Sequence, residues 1–225
     1  MAGYLFHFIH ALETYIALLE ETRAKMSPYA LKDMLLGAAA PDLVDNWKYD
    51  AELKKDVRTG DKERTHFNIP HPEYGTSYMI PDMEEVEKRF LKKEPASLGV
   101  YCHLQYDLDH INDFLLKYFQ PAGTRDEDGE EIYRNVYTGE KIDGTTLWGN
   151  WGKNIYGQLY QLYDLFNAEM AKRYTGKFNQ MFETNFPETK EGFLEFLKWL
   201  FGATVPLTGI PEMDQYRGEK INLYT

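Results

Sequence analysis

Apolar residues recur at three- and four-residue steps along most of the chain, the period of helices that bury one face. Residues 4 to 24 read as a first helix, with Leu5, Ile9, Leu12, Ile16 and Leu19 on its apolar line. Ser27 and Pro28 form an N-cap and first-turn pair that starts a second helix. It runs to Gly37 or slightly beyond, and Pro41 ends helical geometry. Residues 47 to 79 show no clear period and, with Gly60, Pro70, Pro72 and Gly75, read mostly as loop. A charged helix from Pro81 to Lys93 turns Val86 and Phe90 inward, and Pro95 opens a long helix that Pro121 closes.

The second half changes period twice. Residues 122 to 147 alternate and carry Asp-Gly and Thr-Gly turn signals, which predicts a surface hairpin. Ile155, Leu159, Leu162 and Phe166 restore a helix from about Gly152 to Tyr174. Shorter helices follow near Lys177 to Asn185 and Thr189 to Phe201, and the tail from Pro206 reads as extended. These patterns predict an all-α domain spanning residues 1–225, with a loop-rich or hairpin insertion around 122–147.

The helix after Pro95 carries two stripes. Leu104, Leu108, Ile111 and Leu115 form a core face, while His103, Asp107 and His110 line a neighbouring one. Side chains three and four apart on a helix are neighbours, so His103 and Asp107 can reach one point. That is a ready pair of metal ligands.

Composition narrows the setting. The chain has 43% apolar residues with 17 Tyr and 13 Phe, enough for a well-packed core. Its formal charge of −11 argues against duplex nucleic acid, which needs a basic footprint. Cys102 is the single cysteine, so neither a disulfide within the chain nor a thiolate cluster is expected, and its apolar setting reads as a buried inert thiol. The first 25 residues have no basic leader, and His7, His10 and Glu13 interrupt the apolar run. They read as neither a secretory signal nor a transmembrane segment, so a cytoplasmic location is the expectation.

All six histidines lie between His7 and His110. Four short motifs hold most of the candidate donors: FHFIH from Phe6, APD from Ala40, RTHF from Arg64 and HLQYD from His103. Their mix of nitrogen and oxygen donors suits zinc, iron or manganese.

The order of His, Ala-Pro-Asp after an alanine-rich helix end, Thr-His-Phe, and His-x-x-x-Asp preceded by Leu-Gly-x-Tyr resembles the zinc-dependent phospholipase C family. That family shares an all-α fold with the S1/P1 nucleases, and the resemblance covers residues 7 to 115, by short motifs in the right order. It implies a multi-helix phospholipase C/P1 nuclease-like fold with one metal ion on Asp42, His66 and His103. It also implies a second ion on His10, with Asp107 bridging the two, which makes Asp42 and Asp107 the catalytic carboxylates. The implied cofactor is one or two zinc ions. The implied reaction is cleavage of a small phosphoester or phospholipid headgroup by a metal-bound hydroxide.

Arg64 is the candidate contact for a phosphate oxygen, although in the run DKERTH a solvated role is the plainer reading. The chain departs from the family in having no histidine after His110 and so no further zinc site of the usual kind. His7 and His110 read as core or supporting groups, with a substitute-ligand role open on geometry alone. Trp148, Trp151, Tyr156, Tyr160 and Tyr163 read as core before they read as a binding platform.

Two rival readings remain. A non-catalytic helical domain could bind a metal or a partner. An HD-type phosphohydrolase needs adjacent His-Asp, and here Asp109-His110 stand in the reverse order.

Overall fold

Two glycines bring the helices of the site together. In the computed structural model, α3 (Ala30–Ala39) crosses α6 (Pro95–Asp109) at Gly37 and Gly99. A Cβ on Gly99 would stand 2.0 Å from the carbonyl oxygen of Met34, and one on Gly37 would meet that of Ala96 just as closely. Only glycine allows this approach, and the approach carries the end of α3 up to the middle of α6. The structure describes residues 4–43, 47–50, 55–58, 62–91, 94–127, 129, 131–150, 155–156, 158–202 and 209. Trp151 and most of the tail from Pro206 lie outside them, as do the side chains of Trp148, Tyr156, Tyr160 and Tyr163.

The main core joins α1 (Tyr4–Ala17), α3, α6, α9 (Gln158–Phe182) and α10 (Lys190–Phe201) through Phe8, Leu12, Met34, Leu35, Phe178 and Phe196. The predicted first helix is two. Leu19 breaks it with extended backbone, ψ 140°, and α2 (Glu20–Ala24) follows. The apolar line explains the break, because Leu5, Ile9 and Leu12 are buried whereas Ile16 and Leu19 are exposed. α3 starts at Ala30, three residues after Ser27, whose hydroxyl oxygen accepts from the Tyr29 N–H.

The chain is mostly helical but not purely all-α. Four small antiparallel sheets stand among the described residues. Two of them fall in or begin within residues 47 to 79, which read as loop. β1 (Trp47–Asp50) pairs with β2 (Lys55–Arg58); α4 (Lys62–His66) follows, and β3 (Asn68–His71) pairs with β4 (Gly75–Pro81). Proline hid the second hairpin: Pro70 lies beside the register shift of β3, where a missing N–H does least harm. α5 (Met83–Phe90) is capped by Asp82, whose carboxylate accepts from the Glu85 N–H, and it buries Val86 and Phe90 as expected.

The long helix does not run to Pro121. After Asp109 it widens into a π-helical segment, His110–Leu115, and ends in α7 (Leu116–Tyr118). Pro121 lies in β5 (Phe119–Arg125), the first strand of a three-stranded meander with β6 (Glu131–Asn135) and β7 (Lys141–Asp143). The hairpin expected at 122–147 is therefore part of a larger sheet, with Tyr133 and Ile142 packed on Leu115 and Leu116. α8 (Gly144–Trp148) and the short pair β8 (Gly149–Asn150) and β9 (Ile155–Tyr156) lead into α9. α9 fuses two predicted helices, since Gly176 is no break: it makes room for the Glu188 carboxylate. α10 begins where predicted, with the Thr189 hydroxyl accepting from the Gly192 N–H. Among the described residues no helix is long and apolar enough to cross a membrane.

Candidate metal centre

Four segments deliver five side chains to one buried point. α1 contributes His7, the turn after α3 contributes Asp42, α4 contributes His66, and α6 contributes His103 with Asp107. His7 and His103 are fully buried, and their rings stack with centroids 3.6 Å apart. His66 and Asp107 are buried too, and the Asp42 side chain is only 12% exposed. The four-residue spacing of His103 and Asp107 on α6 places both on the same face, as the sequence pattern requires.

The nitrogens and oxygens are spaced as ligands of one ion. His66 Nε2 lies 3.2 Å from His103 Nε2, 3.3 Å from Asp42 Oδ1 and 3.4 Å from Asp107 Oδ2. His103 Nε2 lies 3.5 Å from the same Asp107 oxygen. Two ligands at zinc-like bond lengths on a tetrahedral centre stand about 3.4 Å apart, so these separations fit a single small cation. His7 Nε2 faces the other oxygen of each carboxylate, at 3.7 Å from Asp42 Oδ2 and 3.7 Å from Asp107 Oδ1. Each carboxylate thus turns one oxygen to His66 and the other to His7, and Asp42 Oδ2 also lies 3.9 Å from His103 Nε2.

Proton bookkeeping strengthens the fit. His103 Nδ1 stands 2.7 Å from the carbonyl oxygen of Ala38. A carbonyl only accepts, so Nδ1 carries the proton and Nε2 offers a bare lone pair to the cluster. Lone pairs and carboxylates gathered in a buried space repel unless a proton or a metal ion sits among them. Burial by itself would push the Asp107 carboxyl up, but positive charge in the cluster, as protons on His103, His66 and His7 supply when no ion is bound, holds it well below the usual carboxylate range. Asp107 is an anion there. These side chains can hold a metal ion.

Of the residues singled out from sequence, Asp42, His66, His103 and Asp107 come together, and His10 is in neither of the donor groups found among the described residues. The His10 ring instead meets Tyr106 edge-on at 5.6 Å, and burial lowers its basicity. His7, one turn earlier, takes the inward position. A signal for this was in the sequence: four residues after His7 comes Ala11, fully buried, whereas His10 is followed by the polar Glu13 and Thr14. Arg64 is exposed on α4. His110 stacks between Tyr106 and Phe114, and burial pushes it down to about 4. The His71 Nδ1 accepts from the N–H groups of Glu73 and Tyr74, while its Nε2 meets Asn112 Oδ1 at 3.2 Å. Cys102 is buried as expected, and burial pushes its thiol up to about 11.

Compared with known proteins, the chain matches no family model, no curated protein and no solved structure.

Proposed function

We propose that the protein is a metal-dependent phosphoric ester hydrolase of the zinc-dependent phospholipase C type. The observation that carries this reading is the convergence of three imidazoles and two carboxylates at donor–donor spacings suited to a small divalent cation. The order of the motifs that supply four of these donors is the second support.

In this reading His66, His103, Asp42 and Asp107 would hold one zinc ion, and His7 with the same two carboxylates would hold another. Divalent ions held there would supply an acidified water and charge stabilisation of a phosphoryl group. The residues of the chain do the rest. Asp42 and Asp107, each turning an oxygen to either side, fix the spacing of the two positions and balance their charge. The Ala38 carbonyl holds the His103 ring in place, and the apolar packing of α1, α3 and α6 keeps bulk water out. Arg64, exposed on the helix that carries His66, is the candidate partner of a phosphate oxygen. The net charge of −11 favours a small phosphoester over a polyanion.

Elemental analysis of the purified protein, paired with hydrolysis of bis(p-nitrophenyl) phosphate, tests the proposal. Two equivalents of zinc and measurable hydrolysis are expected, with both lost in the His103→Ala, Asp107→Ala double variant. Full hydrolysis by that variant sinks the enzyme reading. Absence of metal, with thermal stability unchanged by chelator, points instead to a partner-binding helical domain.

A further inference from the structure

We propose that Thr65 is a positioning residue of the metal centre, whose hydroxyl selects the tautomer of His66 and so keeps the proton off Nε2, the nitrogen that would ligate. The inference rests on the metal-binding reading above and adds a residue to it. Thr65 is fully buried, and its Oγ1 stands 3.0 Å from the carbonyl oxygen of Pro41 and 3.2 Å from His66 Nδ1. A hydroxyl has one proton to give. The Pro41 carbonyl only accepts, so the Thr65 proton is committed there. Toward His66 the hydroxyl then has lone pairs alone, and Nδ1 must be the donor. The His66 proton is thereby kept on Nδ1, and Nε2 is bare.

Something is needed to do this, because the surroundings pull the other way. Two carboxylate oxygens lie 3.3 and 3.4 Å from His66 Nε2. An imidazole beside two carboxylates would otherwise place its proton on that nitrogen and donate to one of them, filling the position a cation should take. For His103 the same task falls to a backbone carbonyl, that of Ala38. At His66 it is given to a side chain, which makes it open to substitution. The hydroxyl has a second effect. It ties Pro41, the neighbour of Asp42, to the neighbour of His66 across 24 positions of sequence, so two donor segments are fixed by one hydrogen-bonded oxygen.

The experiment compares wild type, Thr65→Val and Thr65→Ser in the full chain. Valine keeps the shape and removes the hydroxyl; serine keeps the hydroxyl. Zinc affinity is measured by competition with a chromophoric chelator, and the His66 Nδ1–H is followed by proton NMR of the zinc-loaded protein. Loss of an orienting partner of a ligating histidine typically weakens metal binding about 10- to 100-fold. That loss is expected for Thr65→Val, together with loss of the slowly exchanging Nδ1–H signal. Thr65→Ser is expected within about threefold of wild type, with the signal present.

A folded Thr65→Val that binds zinc as tightly as wild type overturns the inference. Should the valine variant not fold, serine decides: a folded Thr65→Ser as weak as a ligand deletion overturns it equally. A wild-type protein that binds no zinc overturns the metal-centre reading itself, a result distinct from either of these.

Discussion

The two ends of this chain bury opposite kinds of side chain. Five of the six buried polar residues among those described, His7, Thr65, His66, His103 and Asp107, surround one point between α1, α3, α4 and α6. The sixth is Thr175, and around it α9 and α10 pack rings: Phe178, Phe182, Phe186 and Phe193 all contact Phe196 within centroid distances of 6.2 Å. Burying imidazoles and carboxylates costs free energy unless each finds a partner, and burying rings returns it. The two halves divide the labour of folding and chemistry. The aromatic half supplies stability that the polar half cannot, and α1, which touches both, couples them through Phe8 on one side and His7 on the other.

Breaking the aromatic half gives the largest expected effect. Phe196→Ala removes a fully buried ring and is expected to cost about 3–5 kcal/mol in urea unfolding. Zinc affinity of the folded protein, measured under native conditions, should stay within about twofold of wild type. A large loss of zinc affinity would show that the two halves are not separable.

A smaller effect sharpens the polar half from within. His7→Ala should weaken the second zinc equivalent about 10- to 100-fold, roughly 1.4–2.7 kcal/mol, and leave the first nearly unchanged. His10→Ala, one turn along the same helix, should leave both equivalents in place. Titration with zinc distinguishes them, and equal losses in the two variants would mean that His10 is a ligand after all.

Most of the centre was legible in the sequence because its geometry is local. His103 and Asp107 are four apart on one helix, and Asp42 follows a helix end marked by proline. His66 came with its motif. The choice between His7 and His10 was not legible from the line of Leu5, Ile9 and Leu12, which both flank; its one trace lay a turn further on, in Ala11 after His7 against Glu13 and Thr14 after His10. Thr65 was visible as a letter in RTHF, but its role depends on a carbonyl 24 residues away. The short hairpins between 47 and 81 were missed for a similar reason. Their strands are held by pairing with each other and, in β4, by Tyr78 packing on Tyr133 of the distant meander, contacts that no local period reveals. The π-helical turn after Asp109 leaves no such mark either, since Leu108, Ile111 and Leu115 keep ordinary helical spacing across it.

The smallest effect concerns that turn and separates acid sensitivity of the fold from acid sensitivity of the metal centre. His110 is packed between Tyr106 and Phe114, and burial brings its folded value to about 4, below the ordinary 6.5. A depressed histidine stays neutral in the folded state while the unfolded chain takes up a proton. Its contribution is therefore intact above about pH 6.5 and is lost progressively as pH falls toward 4. His110→Phe keeps a ring in the stack and removes the titration. With chelator present, so that metal binding plays no part, wild type should lose on the order of 1 kcal/mol more stability than the variant between pH 7 and pH 5. Urea unfolding at the two pH values reads this difference. Parallel losses in both proteins would place the acid sensitivity in this range elsewhere in the fold; the Asp107 carboxylate, held well below the usual range, gives up its stabilisation only at still lower pH.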